Sequence, residues 1–157
     1  MIYVEAPGIH TDRFYSVFMA GGITDCPDWQ TDMVGLLKDS HLTLFNPRRK
    51  DFPIHDPGAA QAQIEWEFRY LRRAEAIMFW FPRETLCPIV LYELGAWSNK
   101  YKSIFVGTHP DYARRQDVII QTSLVRPGMK VVDSLEELAS QVIDWQDTNW
   151  KSEWGAR

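Results

Sequence analysis

Short hydrophobic runs alternate with longer mixed segments along most of this chain. Tyr15-Ser16-Val17-Phe18-Met19-Ala20 is almost continuously apolar and ends in Gly21-Gly22, the pattern of a strand covered on both faces. Leu42-Thr43-Leu44-Phe45 predicts a second strand, stopped by Asn46-Pro47, and Ala76 to Phe81 a third. Ser103 to Gly107 predicts a fourth and Lys130 to Asp133 a fifth; Tyr3-Val4 and Phe14 are candidates for an added edge strand. The intervening segments have helical spacing. One helix is capped at or beside Asp28 and runs to about Lys38, and another runs from about Ala60 to Arg73. A third starts at Pro88, whose missing N–H needs no partner in a first turn, and carries Glu93. Asp111 begins a short helix through Arg114-Arg115, and Ser134 with Glu137 forms a capping box for the last one. Strands and helices alternating at this spacing imply a parallel sheet with helices on both faces. The expected fold is α/β, a flavodoxin-like three-layer sandwich with a five-stranded, mainly parallel sheet. It is read as one domain over residues 1–157, with 145–157 as a C-terminal tail.

Two carboxylates interrupt this pattern. Glu93 lies four residues after Ile89 and four before Trp97, on a helix face expected to be buried, and a carboxylate among apolar neighbours is costly unless paired. It is either a structural Glu bridged to an arginine or a catalytic group where a strand hands over to a helix, the place where open α/β sheets bind ligands. On the preceding helix Ile64, Phe68 and Leu71 mark the expected core face, Glu67 borders it, and Glu65 with Arg69 makes an exposed pair. Glu67 is either a snorkelling surface residue or a second carboxylate opposite Glu93. Two carboxylates in differing environments can divide nucleophile and acid roles. Two loops at the same end of the sheet are further candidates. Ala20-Gly21-Gly22-Ile23-Thr24-Asp25 is a plain turn or a loop allowing close backbone approach to a ligand, and it is not a dinucleotide fingerprint. Asn46-Pro47-Arg48-Arg49 is a solvated loop or a holder of a sugar hydroxyl or phosphate.

Composition narrows the partners. The formal net charge of −4 argues against a duplex nucleic-acid binder. Cys26 and Cys87 form neither a disulfide framework nor a metal-ligand spacing, and His10, His41, His55 and His109 are scattered, so neither metal nor cofactor is expected. With no signal-peptide pattern and no apolar run of membrane-spanning length, a cytoplasmic protein without membrane association is expected. Trp145, Trp150 and Trp154 are hard to reconcile with a free solvated tail. Tryptophan is enriched at interfaces, so a homo-oligomer is expected, the alternative being a tail folded back on its own subunit.

Met19-Ala20-Gly21-Gly22, Gln63-Ile64-Glu65-Trp66-Glu67 leading into Arg73-Ala74-Glu75-Ala76-Ile77, and Tyr92-Glu93-Leu94-Gly95 together resemble the nucleoside 2-deoxyribosyltransferase family and its nucleoside 5′-monophosphate N-hydrolase relatives. The likeness spans about Tyr15 to Ser140 and includes Trp29 after the Gly loop. It implies a nucleoside or nucleotide substrate cleaved or transferred at its N-glycosidic bond. Glu93 matches the glutamate that attacks the anomeric carbon and forms a glycosyl-enzyme. Glu67 matches a position usually held by aspartate, which orients the sugar or assists proton transfer. Gly21, Gly22 and Ile23 match the loop near the sugar 5′ end, with Asp28, Trp29, Asn46 and Arg48 as further substrate-binding candidates. Cys87 stands where the transferases place an aspartate that handles the base, so base protonation needs another group. The alternatives are a catalytically weak nucleotide-binding module of the same fold, or an unrelated interaction domain in which Glu93 is structural.

Overall fold

A computed structural model describes residues 1–11 and 15–154, with the side chains of 151–154 left aside. The element order is β1 (Ile2–Glu5), β2 (Ser16–Gly21), α1 (Trp29–Leu36), β3 (Thr43–Asn46), α2 (Ala59–Arg73), β4 (Ala76–Phe81), α3 (Pro88–Ser98), β5 (Ser103–Thr108), α4 (Arg115–Val125), β6 (Val131–Val132) and α5 (Leu135–Trp154). The strands form one sheet in the order β1-β3-β2-β4-β5-β6, every pairing parallel. The fold is therefore a flavodoxin-like α/β sandwich with six strands rather than five. The additional strand is β1, whose Tyr3 and Val4 pair with Leu44 and Phe45. Phe14, the other residue considered for an edge strand, lies outside the described residues.

The central strands explain their own composition. Ile77, Phe79 and Phe81 of β4 enter one core with Phe18 and Ala20 of β2, Trp66 and Tyr70 of α2, and Val90 and Leu94 of α3. The alternate residues Ala76, Met78 and Trp80 enter the other, with Val17, Met19, Met33 of α1 and Leu138 and Val142 of α5. Period-two alternation between two buried faces leaves no polar position over Val17–Ala20 of β2 or along β4, hence the unbroken apolar runs.

Several boundaries are set by side chains. Asp28 caps α1, its carboxylate accepting from the Thr31 N–H at 3.2 Å. Ser134 Oγ accepts from the Glu137 N–H at 3.2 Å, while the Glu137 carboxylate accepts from Asp133 N–H at 3.1 Å, one residue earlier than in the reciprocal box. The expected helix at Asp111 is instead a turn, and α4 begins only at Arg115. The turn is held by the Tyr112 N–H on the His109 carbonyl, and the buried Tyr112 ring packs 5.2 Å from that of Phe81. Residues 145–154 continue α5. Within it Trp145 packs edge-on to Tyr15 and Phe105, and Trp150 stacks on His41 at 5.4 Å.

The expected core face of α2 is corrected by the structure. Its buried residues are Ala59, Trp66, Tyr70 and Leu71, whereas Ile64 and Phe68 are 64% and 61% exposed. Likewise α3 buries Val90, Leu94 and Ser98, not the Ile89–Glu93–Trp97 stripe. Both helices are apolar on two sides, and the wide aromatic rings of Trp66 and Tyr70 fill the space above β2 and β3. The aliphatic stripe is left facing a groove between α2 and α3.

Candidate active site

Strand β2 lies between β3 and β4, so the chain leaves it toward one edge of the sheet and later returns on the other side. Ligands of open α/β sheets bind at the carboxyl ends of the strands at such a switch point. Here Gly21-Gly22 leaves β2 beside the segment that follows β4, and a cleft of about 390 Å³ opens above them. Its floor is Phe18, Ala20 and the Gly loop; its walls carry Glu67 from α2 and Cys87, Ile89 and Glu93 from α3.

The glycines are required by close packing. A Cβ on Gly21 would meet the Trp29 ring and stand 2.7 Å from the Trp80 carbonyl oxygen. One on Gly22 would stand 2.7 Å from Pro82 and 3.1 Å from the sulfurs of both Cys26 and Cys87. Behind the loop, Trp29 Nε1 donates to the Gly22 carbonyl at 2.9 Å and Gln30 Nε2 to the same oxygen at 3.3 Å. The loop is thus fixed from below, with its upper side left to the cleft.

Glu67 and Glu93 share this cleft from adjacent helices. Among the described residues no arginine or lysine pairs with either, which removes the arginine-bridged reading of Glu93. Burial, and then the charge of Glu67, pushes the Glu93 carboxyl up to about 7. Burial also raises Glu67, opposed by a hydrogen bond that its Oε1 accepts from Gln63 Nε2 at 2.9 Å. Two carboxyls that resist ionising together are suited to hold one negative charge and one proton between them.

Cys87 opens α3 with a left-handed backbone, φ +49°, and its thiol lies 3.5 Å from the Thr85 carbonyl oxygen. Burial, and then the neighbouring Cys26, pushes that thiol up to about 12, so it stays neutral. It presents sulfur to the cleft without serving as a proton source near neutral pH.

The structure gathers Gly21, Gly22, Ile23, Glu67, Cys87 and Glu93 in one cleft. The other candidates stand behind it. Asp28 caps α1, and Trp29 is buried under the loop. Asn46 is buried, with Nδ2 donating to the Tyr3 hydroxyl at 2.7 Å and Oδ1 accepting from the Arg48 N–H. Arg48 spends its guanidinium on the carbonyls of Pro27 at 2.9 Å and Cys26 at 3.1 Å and on Gln30 Oε1 at 3.2 Å. These residues tie the loop after β3 to the Gly loop. The sequence assigns no role to Gln30, and to Gln63 only a place in the Gln63–Glu67 motif. Gln63 stands one helical turn before Glu67, a spacing that could have revealed it; nothing local marks Gln30.

A groove of about 1020 Å³ adjoins the cleft, sharing Glu67, Ile89 and Glu93 with it and lined further by Ile64, Phe68 and Tyr92. No helix among the described residues is long and apolar enough to cross a membrane.

The fold and the cleft define a flavodoxin-like α/β protein with a carboxylate pair at the switch point of its sheet. The family described as nucleoside 2-deoxyribosyltransferase like matches residues 14–112, from β2 through the turn before α4, and the chain belongs to that family. No curated protein matches the chain. Membership supports nucleoside deoxyribosyltransferase-like chemistry and a nucleoside substrate in general terms, and the matched region contains every residue of the cleft.

Proposed function

We propose that this protein is an enzyme that cleaves or transfers at the N-glycosidic bond of a (2′-deoxy)nucleoside, with Glu93 as nucleophile and Glu67 as its acid–base partner. The observation that carries this reading is the carboxylate pair without a counter-cation, held above a glycine floor at the switch point. Breaking the bond between the anomeric carbon and the base nitrogen leaves its electron pair on the base and positive charge on the sugar ring. Glu93 faces that charge and captures the anomeric carbon as a glycosyl ester. The departing base takes a proton, and Glu67 is the group in the cleft suited to supply it, because the Cys87 thiol is held far too basic. Water or a second base then attacks the same carbon and frees Glu93. Ile89 and Val90 offer apolar surface to the base, and the Gly21–Thr24 backbone approaches the sugar.

The cleft lining has two carboxylates and no cationic side chain among its described residues, and Arg48 is committed to the loops. An unphosphorylated nucleoside fits this charge balance better than a 5′-monophosphate. Incubating the protein with ribonucleosides, deoxyribonucleosides and their monophosphates, with and without an acceptor base, and measuring free base tests both points. Release of base from a deoxynucleoside is expected. Thermal stabilisation by nucleotides without turnover would instead support the binding-module alternative.

The protein is further proposed to act in the cytoplasm, where its two free thiols stay reduced, and as a homo-oligomer. The exposed Ile64, Phe68, Ile89 and Tyr92 border Glu67 and Glu93, so a second copy covering them places the site at a subunit boundary. Light scattering at micromolar concentration is expected to give at least a dimer, and a Phe68→Glu variant a smaller mass; a monomeric wild-type protein would refute this.

A further inference from the structure

Gln63 joins the wall of the cleft to its acid–base pair. Its Nε2 donates to the Pro47 carbonyl oxygen at 2.7 Å and to Glu67 Oε1 at 2.9 Å, while its own Oε1 is buried without a partner among the described residues. The orientation of this amide is dictated by chemistry. A proline carbonyl can only accept, so the nitrogen must face Pro47, and the second hydrogen of the same NH₂ is left for Glu67. Turning the amide over would set its oxygen against two acceptors. The stranded Oε1 is the cost of that fixed orientation.

The consequence for Glu67 is geometric. Its Oε1 receives a donor and cannot itself hold a hydrogen pointing at Gln63. Pro47 is in turn anchored, because its neighbours Asn46 and Arg48 are bonded to each other and Arg48 to the Cys26–Pro27 segment. Glu67 is therefore aimed through a chain of bonds that reaches the Gly loop. We propose that Gln63 is a positioning residue of the carboxylate pair, holding Glu67 Oε1 as an acceptor so that any proton on Glu67 sits on Oε2. It touches Glu67 rather than the reacting atoms.

This assignment rests on the proposed roles of Glu67 and Glu93. A donated hydrogen bond stabilises the charged form, so Gln63 opposes the upward push that burial gives the Glu67 carboxyl while fixing which of its oxygens can carry a proton. The titratable and charged groups around the pair are Cys87 at the start of α3 and, farther along the adjoining groove, Arg72 of α2 with Lys100 and Lys102 beyond α3. None of these donates to Glu67 among the described residues, so Gln63 supplies the one side-chain donor to the pair that they show.

The test is Gln63→Met, which keeps the side-chain length and removes both donors. Carbon-detected NMR titration of the Glu side-chain carboxyls follows Glu67 and Glu93 directly in the intact protein, without needing a substrate. In Gln63→Met the Glu67 midpoint is expected to rise by at least half a pH unit and that of Glu93 to fall, with the melting temperature measured alongside. Where a nucleoside is turned over, kcat is expected to fall roughly 10-fold or more with KM nearly unchanged. Unmoved midpoints in a folded variant would overturn the proposal. A shift in the midpoints of a protein that releases no base would uphold Gln63 and reject the glycosidic reading instead.

Discussion

Replacing Glu93 by Gln separates a catalytic carboxylate from a structural one, because the two predict opposite changes in stability. Glu93 has no cationic partner among the described residues, and its carboxyl ionises near 7 instead of near 4.5 through burial and the facing Glu67. A displacement of that size, at about 1.4 kcal/mol per pH unit, means that ionised Glu93 costs the fold about 3 kcal/mol. The direction follows from proton binding. Between pH 4.5 and 7 the folded state holds a proton that the unfolded chain has released, so wild-type stability from this group falls across that window and levels off above it. Glu93→Gln keeps the volume and carries no charge. It is expected to match wild type at pH 4, to gain progressively through pH 7, and to melt some 5–10 °C higher at pH 8. Base release from a nucleoside is expected to fall by about four orders of magnitude or more, the usual cost of deleting a nucleophile. Calorimetry at pH 4 and pH 8 beside a chromatographic assay of free base measures both. A variant less stable than wild type at pH 8 would refute the reasoning and return Glu93 to a structural role. So would a folded variant with full activity.

Glu67→Gln is expected to be milder, slowing turnover while leaving a sugar adduct on Glu93 that mass spectrometry of the intact protein detects. Removing the facing charge also lowers the Glu93 ionisation, so the acid limb of kcat/KM, expected near pH 7 in the wild type, should move to lower pH. Arg48→Met removes bonds to Pro27, Cys26 and Gln30 and is expected to destabilise the fold by about 1–3 kcal/mol. It should raise KM for a nucleoside and for its monophosphate by a similar factor; a loss confined to the monophosphate would show Arg48 to be a phosphate ligand after all.

Much of this molecule is determined by the linear sequence. The unbroken apolar run from Ala76 to Phe81, short and bounded by turn residues, has the pattern of a strand covered on both faces, and Asp28, Pro88 and Ser134 mark helix starts through chemistry confined to one turn. Alternation of such elements fixes a parallel sheet, and with it the end at which Gly21-Gly22 and Glu93 emerge. Local signals do not decide which side of an amphipathic helix meets the core when both sides are apolar. Ile64 and Phe68 have as good a helical period as Trp66 and Tyr70, and only the space above β2 and β3, made by distant strands, selects the aromatic pair. The same holds for the site. Glu67 and Glu93 are separated along the chain by a whole strand and two turns, and the effect of one on the other's ionisation exists only because α2 and α3 bring them to one cleft. Arg48 and Asn46 read as candidate ligand-binding residues after the second strand, yet folding commits Asn46 to the Tyr3 hydroxyl and the Arg48 N–H, and Arg48 to the carbonyls of another loop. Residue type fixes what a side chain can bond; the tertiary structure alone fixes which partner arrives.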